Sequence, residues 1–112
     1  MLIRIGTAML LTCTTLASTA QAEGDPAKGQ TLVRAQCARC HGLDGNARST
    51  SIQPVPMLAG QPAVYLLQEM KNYAAGKRED TSKQQAMTRE LSYLTEQDME
   101  DIAVFFAAQE RY

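Results

Sequence analysis

The 112-residue sequence contains one histidine, three cysteines and no tryptophan, and only 5% of its residues are aromatic. It also lacks an excess of either charge: 11 Lys and Arg stand against 12 Asp and Glu, a formal net of −1. Near-neutrality removes the electrostatic case for nucleic-acid binding. No Gly-rich phosphate loop, Ser/His/Asp set or internal repeat stands out. What is present is ordinary for a globular chain: 45% hydrophobic and 21% charged residues, which argues against a disordered or fibrous protein. A chain of this length reads as one domain.

No apolar run is long enough for a comfortable membrane span of about 20 residues. The N-terminal stretch "MLIRIGTAMLLTCTTLASTAQA" instead reads as an address. It carries one basic residue, Arg4, then a short apolar run with several threonines. Ala20-Gln21-Ala22 fits the small-x-small cleavage rule and predicts a mature start at Glu23. The expected division is therefore a secretory signal peptide over 1–22 and one domain over 23–112. It implies a periplasmic protein without stable membrane insertion after cleavage. The alternative is an uncleaved N-terminus serving as a membrane anchor. Cys13 lies inside the leader; a lipoprotein site would want small residues just before it, but Leu10, Leu11 and Thr12 stand there.

Removal of the leader leaves two cysteines, Cys37 and Cys40, in a domain small enough for its core to be marginal. Both lie in "AQCARCHGLDGN", residues 35–46, directly before the lone histidine, His41. Cys-x-x-Cys-His is the pattern of covalent haem attachment. Two thiols three residues apart on a helix end point the same way, so each can add to one haem vinyl group. The next residue then turns its imidazole to the iron as a proximal ligand. Three other readings use the same residues. A thioredoxin-like redox pair wants a strand–helix context, which is not visible. Structural zinc wants four ligands, and only carboxylates remain to complete the set. A simple disulfide is compatible with export. The motif together with the leader favours haem.

The rest of the chain reads as all-α. A first helix is expected with Asp25 as N-cap and Pro26 at its first position; Gly29, Val33, Cys37 and Cys40 share its inner stripe. "GLDGNARSTSIQPVP" is too broken for regular structure. A second helix fits "PAVYLLQEMKNYAA", from Pro62 to just before Gly76, with Ala63, Leu66, Leu67, Met70, Tyr73 and Ala74 on one face. A polar loop, "KREDTSKQQA", leads to Met87 and a further helix. The last helix is expected to begin near Thr95, whose Thr-x-x-Asp pattern with Asp98 resembles a capping box; Met99, Ile102, Ala103 and Phe106 form its inner stripe.

"CARCHGLDGN", "PMLAGQPAVYLLQEMKNYAAGKR" and "MTRELSYLTEQDMEDIAVFFAAQ", in this order and spacing, resemble class I cytochromes c of the short bacterial monohaem type. The same module is duplicated in two-domain dihaem cytochromes. The resemblance covers nearly all of residues 25–110. It implies a small all-α fold, three main helices with loops wrapped around one covalent haem c and its iron. Cys37 and Cys40 would carry the thioethers and His41 would be the proximal ligand. The carbonyl of Pro56 would accept the other imidazole N–H, fixing the ring and raising its basicity. Leu58 would pack on the haem face, and Gly29 would let the first helix cross the last beneath Phe105 or Phe106.

The sixth ligand is expected to be Met87. Met70 and Met99 sit on apolar helix faces, where methionine usually fills core space. Met57 follows the proline expected on the histidine side. Met87 follows the long polar loop, which lets it come round to the opposite face, and its spacing to Leu94-Thr95 resembles the family's ligand position. His/Met ligation closes both axial sites and raises the potential. The implied function is a periplasmic one-electron carrier rather than an enzyme. Its partners would be redox proteins docking weakly at an exposed haem edge, with a monomer or weak dimer as the expected state. A haem enzyme or gas sensor would need an iron that Met87 leaves open. A subunit passing electrons within a larger complex would look the same in sequence.

Overall fold

Asp25 begins the first helix by supplying what a helix start lacks, a partner for its free N–H groups. Its carboxylate accepts from Ala27 N at 2.9 Å and Lys28 N at 3.4 Å, with Pro26 at the first helical position. The computed structural model describes residues 23–47 and 54–112. The expected signal peptide, its cleavage site and Cys13 lie outside the described residues. Among those described, all regular structure is helical: α1 Pro26–Leu32, α2 Ala38–His41, α3 Ala63–Ala74, α4 Ala86–Leu91 and α5 Glu96–Ala107. The all-α class expected from the sequence holds.

The first helix differs from the uniform one expected. Between α1 and α2 the chain makes a π-helical stretch, Val33–Cys37, in which Ala38 N–H bonds back to Val33 O. That wider turn breaks the 3.6-residue period. Gly29 and Val33 are buried, Cys37 is half-buried and Cys40 is exposed. The inner stripe therefore leads from the core out to the surface at the cysteines.

α1 crosses α5 at Gly29. A methyl group on Gly29 would lie 2.0 Å from Asp101 O and 2.9 Å from Phe105 Cβ. Only a residue without a side chain permits this approach, and the aromatic over it is Phe105. α5 begins with the full capping box: Thr95 Oγ1 accepts from Asp98 N at 3.1 Å, and Thr95 N donates to Asp98 Oδ2 at 3.0 Å. Its buried face joins Val33 and Leu66 in one apolar cluster through Ile102, Ala103, Phe105 and Phe106. α3 packs on both α4 and α5. Leu66 is its buried residue, and Ala63, Leu67 and Met70 pack on the cluster from the side. Ala74, expected on the same face, is exposed.

The loop after α2 is held from the far end of the chain. Gly45 (φ +78°) packs so closely under Phe106 that a methyl group there would sit 2.7 Å from the ring. Its carbonyl accepts from Leu58 N at 2.8 Å and Ala59 N at 3.1 Å. Gly60 N donates to Phe106 O, and Arg111 Nε to Ala59 O, each at 3.0 Å. The segment 54–60 is thereby fixed beside α2.

Candidate functional site

α2 brings His41 to the inside of this loop, where the residue is 6% exposed. Its Nδ1 lies 3.2 Å from Pro56 O. A carbonyl can only accept, so this bond selects the tautomer protonated at Nδ1 and leaves the Nε2 lone pair for a metal. Burial lowers the pKa of His41, and the bond to Pro56 opposes that only in part. The ring is thus held neutral, the form that ligates.

His41 opens on a cleft of about 440 Å³, counting the part open to solvent. From one side Cys37, Cys40 and His41 line it. From α4 come Met87, Glu90 and Leu91, with Leu94 just beyond. Of the methionines weighed in the sequence, Met87 lies on the cleft, Met70 packs against the core cluster and Met99 is buried. Met87 sits in the first turn of α4 rather than in the loop before it. Pro56 meets the site through its carbonyl, and Leu58 is half-buried and packs against the core cluster.

The cysteines are not bridged to each other. Burial pushes the Cys37 thiol up to about 11, and the charge of Glu90 adds to the effect. A nucleophilic thiol needs a lowered pKa, so Cys37 is poorly suited to start thiol–disulfide exchange. Among the described residues no group of three or more His, Cys, Asp and Glu side chains converges to hold a bare metal ion. What the cleft offers is two thiols on its lining, the Cys40 side exposed, one ring nitrogen with a directed lone pair, one thioether and otherwise largely apolar walls. That donor set fits a large, flat, apolar group carrying a metal.

Sequence reasoning passed over the polar frame of α4. Asp80 accepts from Ser82 and Thr88, and Ser82 accepts from Met87 N. Burial raises the Asp80 carboxyl, but these bonds together outweigh it and hold the group at about 2. Asp and Ser just before an apolar residue are a helix-start signal, masked here by the intervening "KQQ". Glu90 and Leu91 follow Met87 by three and four residues, the spacing that places them on its face once a helix is assigned.

Comparison with known proteins agrees with the site. The family described as Cytochrome c matches residues 26–108. Cytochrome c4 of Pseudomonas aeruginosa is 43% identical over 94 residues, covering 84% of this chain and 43% of that protein. Cytochrome c-554(548) of Halomonas halodenitrificans is 35% identical over 88 residues, covering 78% of this chain and 99% of that one. The solved cytochrome c4 of Acidithiobacillus ferrooxidans superposes with a TM-score of 0.60 at 26% identity, covering 82% of this chain and 56% of the other. The chain thus spans less than half the length of the Pseudomonas cytochrome c4 and nearly all of cytochrome c-554(548). A match running from α1 through α5, with the Cys-x-x-Cys-His cleft inside it, means that the chain belongs to the cytochrome c family, whose cofactor is covalently attached haem c with its iron.

Proposed function

We propose that this chain is an exported one-electron carrier, with Cys37 and Cys40 holding the haem and with His41 and Met87 as the axial ligands of its iron. The observation that carries the reading is that His41 and Met87, 46 positions apart in the chain, line one largely apolar cleft together with both cysteines. Bound haem supplies Fe(III)/Fe(II) exchange of a single electron. The chain does the rest. Pro56 O orients the His41 ring and fixes its tautomer. Leu91 and Leu94 give the cleft apolar wall, and Met87 would fill the position an external ligand needs. A thioether favours the reduced metal, which raises the potential. The exposed Cys40 marks the edge where redox partners dock, through weak interfaces below about 1,200 Å². Residues 1–22 serve as the leader, and the 23–112 domain works in the periplasm as a monomer or weak dimer.

Met87→Ala tests the ligand assignment. It should open the iron to cyanide and carbon monoxide and lower the reduction potential well beyond error, since axial ligands move haem potentials over about 0.8 V. Met57→Leu keeps bulk and removes only sulfur, so its spectrum should match the wild type. An open iron in Met57→Leu and a closed one in Met87→Ala would reverse the assignment. A wild type already open would favour a haem enzyme or gas sensor.

A further inference from the structure

The helix that carries Met87 does not cap itself. α4 is six residues long, and its N-cap, Gln85, makes no side-chain capping bond. Gln85 and Gln84 before it both adopt left-handed backbone conformations, φ +53° and +58°. Such a conformation is unfavourable for a residue with a Cβ, and two in succession persist only when neighbouring groups enforce them. The enforcing groups lie in the preceding loop. Asp80 Oδ2 accepts from Thr88 N and Thr88 Oγ1, each at 2.7 Å. Asp80 Oδ1 accepts from Ser82 N at 3.0 Å and from the Ser82 hydroxyl. Ser82 Oγ in turn accepts from Met87 N at 3.2 Å. The free N–H groups of Met87 and Thr88 thus both end on one carboxylate, directly or through one hydroxyl. A negative charge at a helix start is also favoured by the helix dipole.

From this arrangement we infer that Asp80 is the positioning residue for Met87: through Ser82 and Thr88 it holds the first turn of α4 in the orientation that keeps the thioether on the cleft. The inference rests on Met87 being the axial ligand. Asp80 does not line the cleft; it acts on the equilibrium between a closed and an open sixth site. Weakening that hold raises the fraction of molecules with an open site, and an external ligand reads this fraction as apparent affinity.

The test uses the haem-loaded protein as wild type, Asp80→Asn, Thr88→Val, Met87→Ala and Asp25→Ala. Cyanide affinity of the oxidised form is measured at neutral pH, alongside the far-red sulfur–iron band and the melting temperature. In Asp80→Asn an amide NH2 replaces one of the two acceptor oxygens and faces donors. Its cyanide affinity should rise about tenfold or more, with loss of far-red intensity, because hydrogen bonds to a charged group are strong. Thr88→Val removes one of the four bonds and should give a smaller rise of a few-fold. Asp25→Ala strips the cap from α1 instead; it should lower the melting temperature and leave cyanide affinity unchanged. The proposal is overturned if Asp80→Asn melts lower yet binds cyanide within about twofold of a wild type that shows the band. Should Asp80→Asn fail to fold, Thr88→Val decides by direction: wild-type affinity overturns the proposal and a rise upholds it. A wild type without the band, binding cyanide as tightly as Met87→Ala, would overturn the ligand assignment itself.

Discussion

His41 stands at the end of a helical segment whose crossing with α5 leaves no room for a methyl group, and its ring is tied to a loop anchored under Phe106. Met87 stands in a six-residue helix that buries Leu91 and is otherwise held at its start by polar groups. One wall of the cleft is part of the core, and the other leans on it. The core wall therefore governs the fold, and the α4 wall governs access to the proposed metal position. Damage at the crossing should unfold the domain. Damage at α4 should open one ligand position in a protein that stays folded, since local openings draw on the regions with least buried contact.

The largest expected effect tests the core wall. Gly29→Ala puts a carbon 2.0 Å from the Asp101 carbonyl, which is backbone and cannot swing away. The two helices must separate, at a cost of several kcal/mol, about half or more of what a domain this small has. Folded, haem-loaded protein should be lost or should melt far below the wild type. A Gly29→Ala protein that melts like the wild type would break the comparison.

A smaller effect tests the leaning wall through acid. The Asp80 carboxyl sits at about 2 in the fold against an ordinary 3.8, since its hydrogen bonds outweigh its burial. A lowered folded value means that the unfolded chain takes up the proton first. The stabilisation is therefore complete above about pH 5 and fades as pH falls toward about 2. The stability gap between wild type and Asp80→Asn, measured by urea unfolding, should be constant from neutral pH down to about 5 and shrink below about 4. A gap that widens in acid would show that the bonds do not hold the charge.

The smallest effect sits between the two regions. Lys71 of α3 and Glu96 of α5 pair at 2.9 Å, with side chains 41% and 62% exposed. Lys71→Ala should cost less than about 0.5 kcal/mol and change neither melting temperature nor ligand binding measurably. A larger loss would mean that the helices depend on surface charge rather than on the Gly29 crossing and the apolar cluster.

These regions also differ in how well the sequence announces them. Asp25 with Pro26, and Thr95 with Asp98, start helices where expected because caps act within one turn and leave a local pattern. The role of Gly29 comes from the family resemblance rather than from any local pattern, and the close crossing with α5 gives its physical reason. The Cys-x-x-Cys-His run was readable because its chemistry needs that spacing. The π-turn at Val33–Cys37 was not legible: it shifts the helical period without any Gly or Pro to mark it. Nor was the start of α4. Its turn uses Gln84 and Gln85 where glycine would have signalled a left-handed backbone, and its cap comes from Asp80, eight residues before Thr88. Met87 is proposed by weighing the methionines and by a spacing that resembles the family's ligand position, whereas the hydrogen bonds on its N–H form a tertiary arrangement that no short window contains.

On the proposed reading, both axial positions of the haem iron are closed by the chain, His41 from the core wall and Met87 from α4. Carbon monoxide added to the reduced wild-type protein at neutral pH tests it most directly, with the oxidised spectrum recorded beside it. With both positions closed, the reduced spectrum should be unchanged by carbon monoxide and the oxidised form should show the weak far-red sulfur–iron band. Rapid formation of a carbon monoxide complex, with no such band, would contradict it.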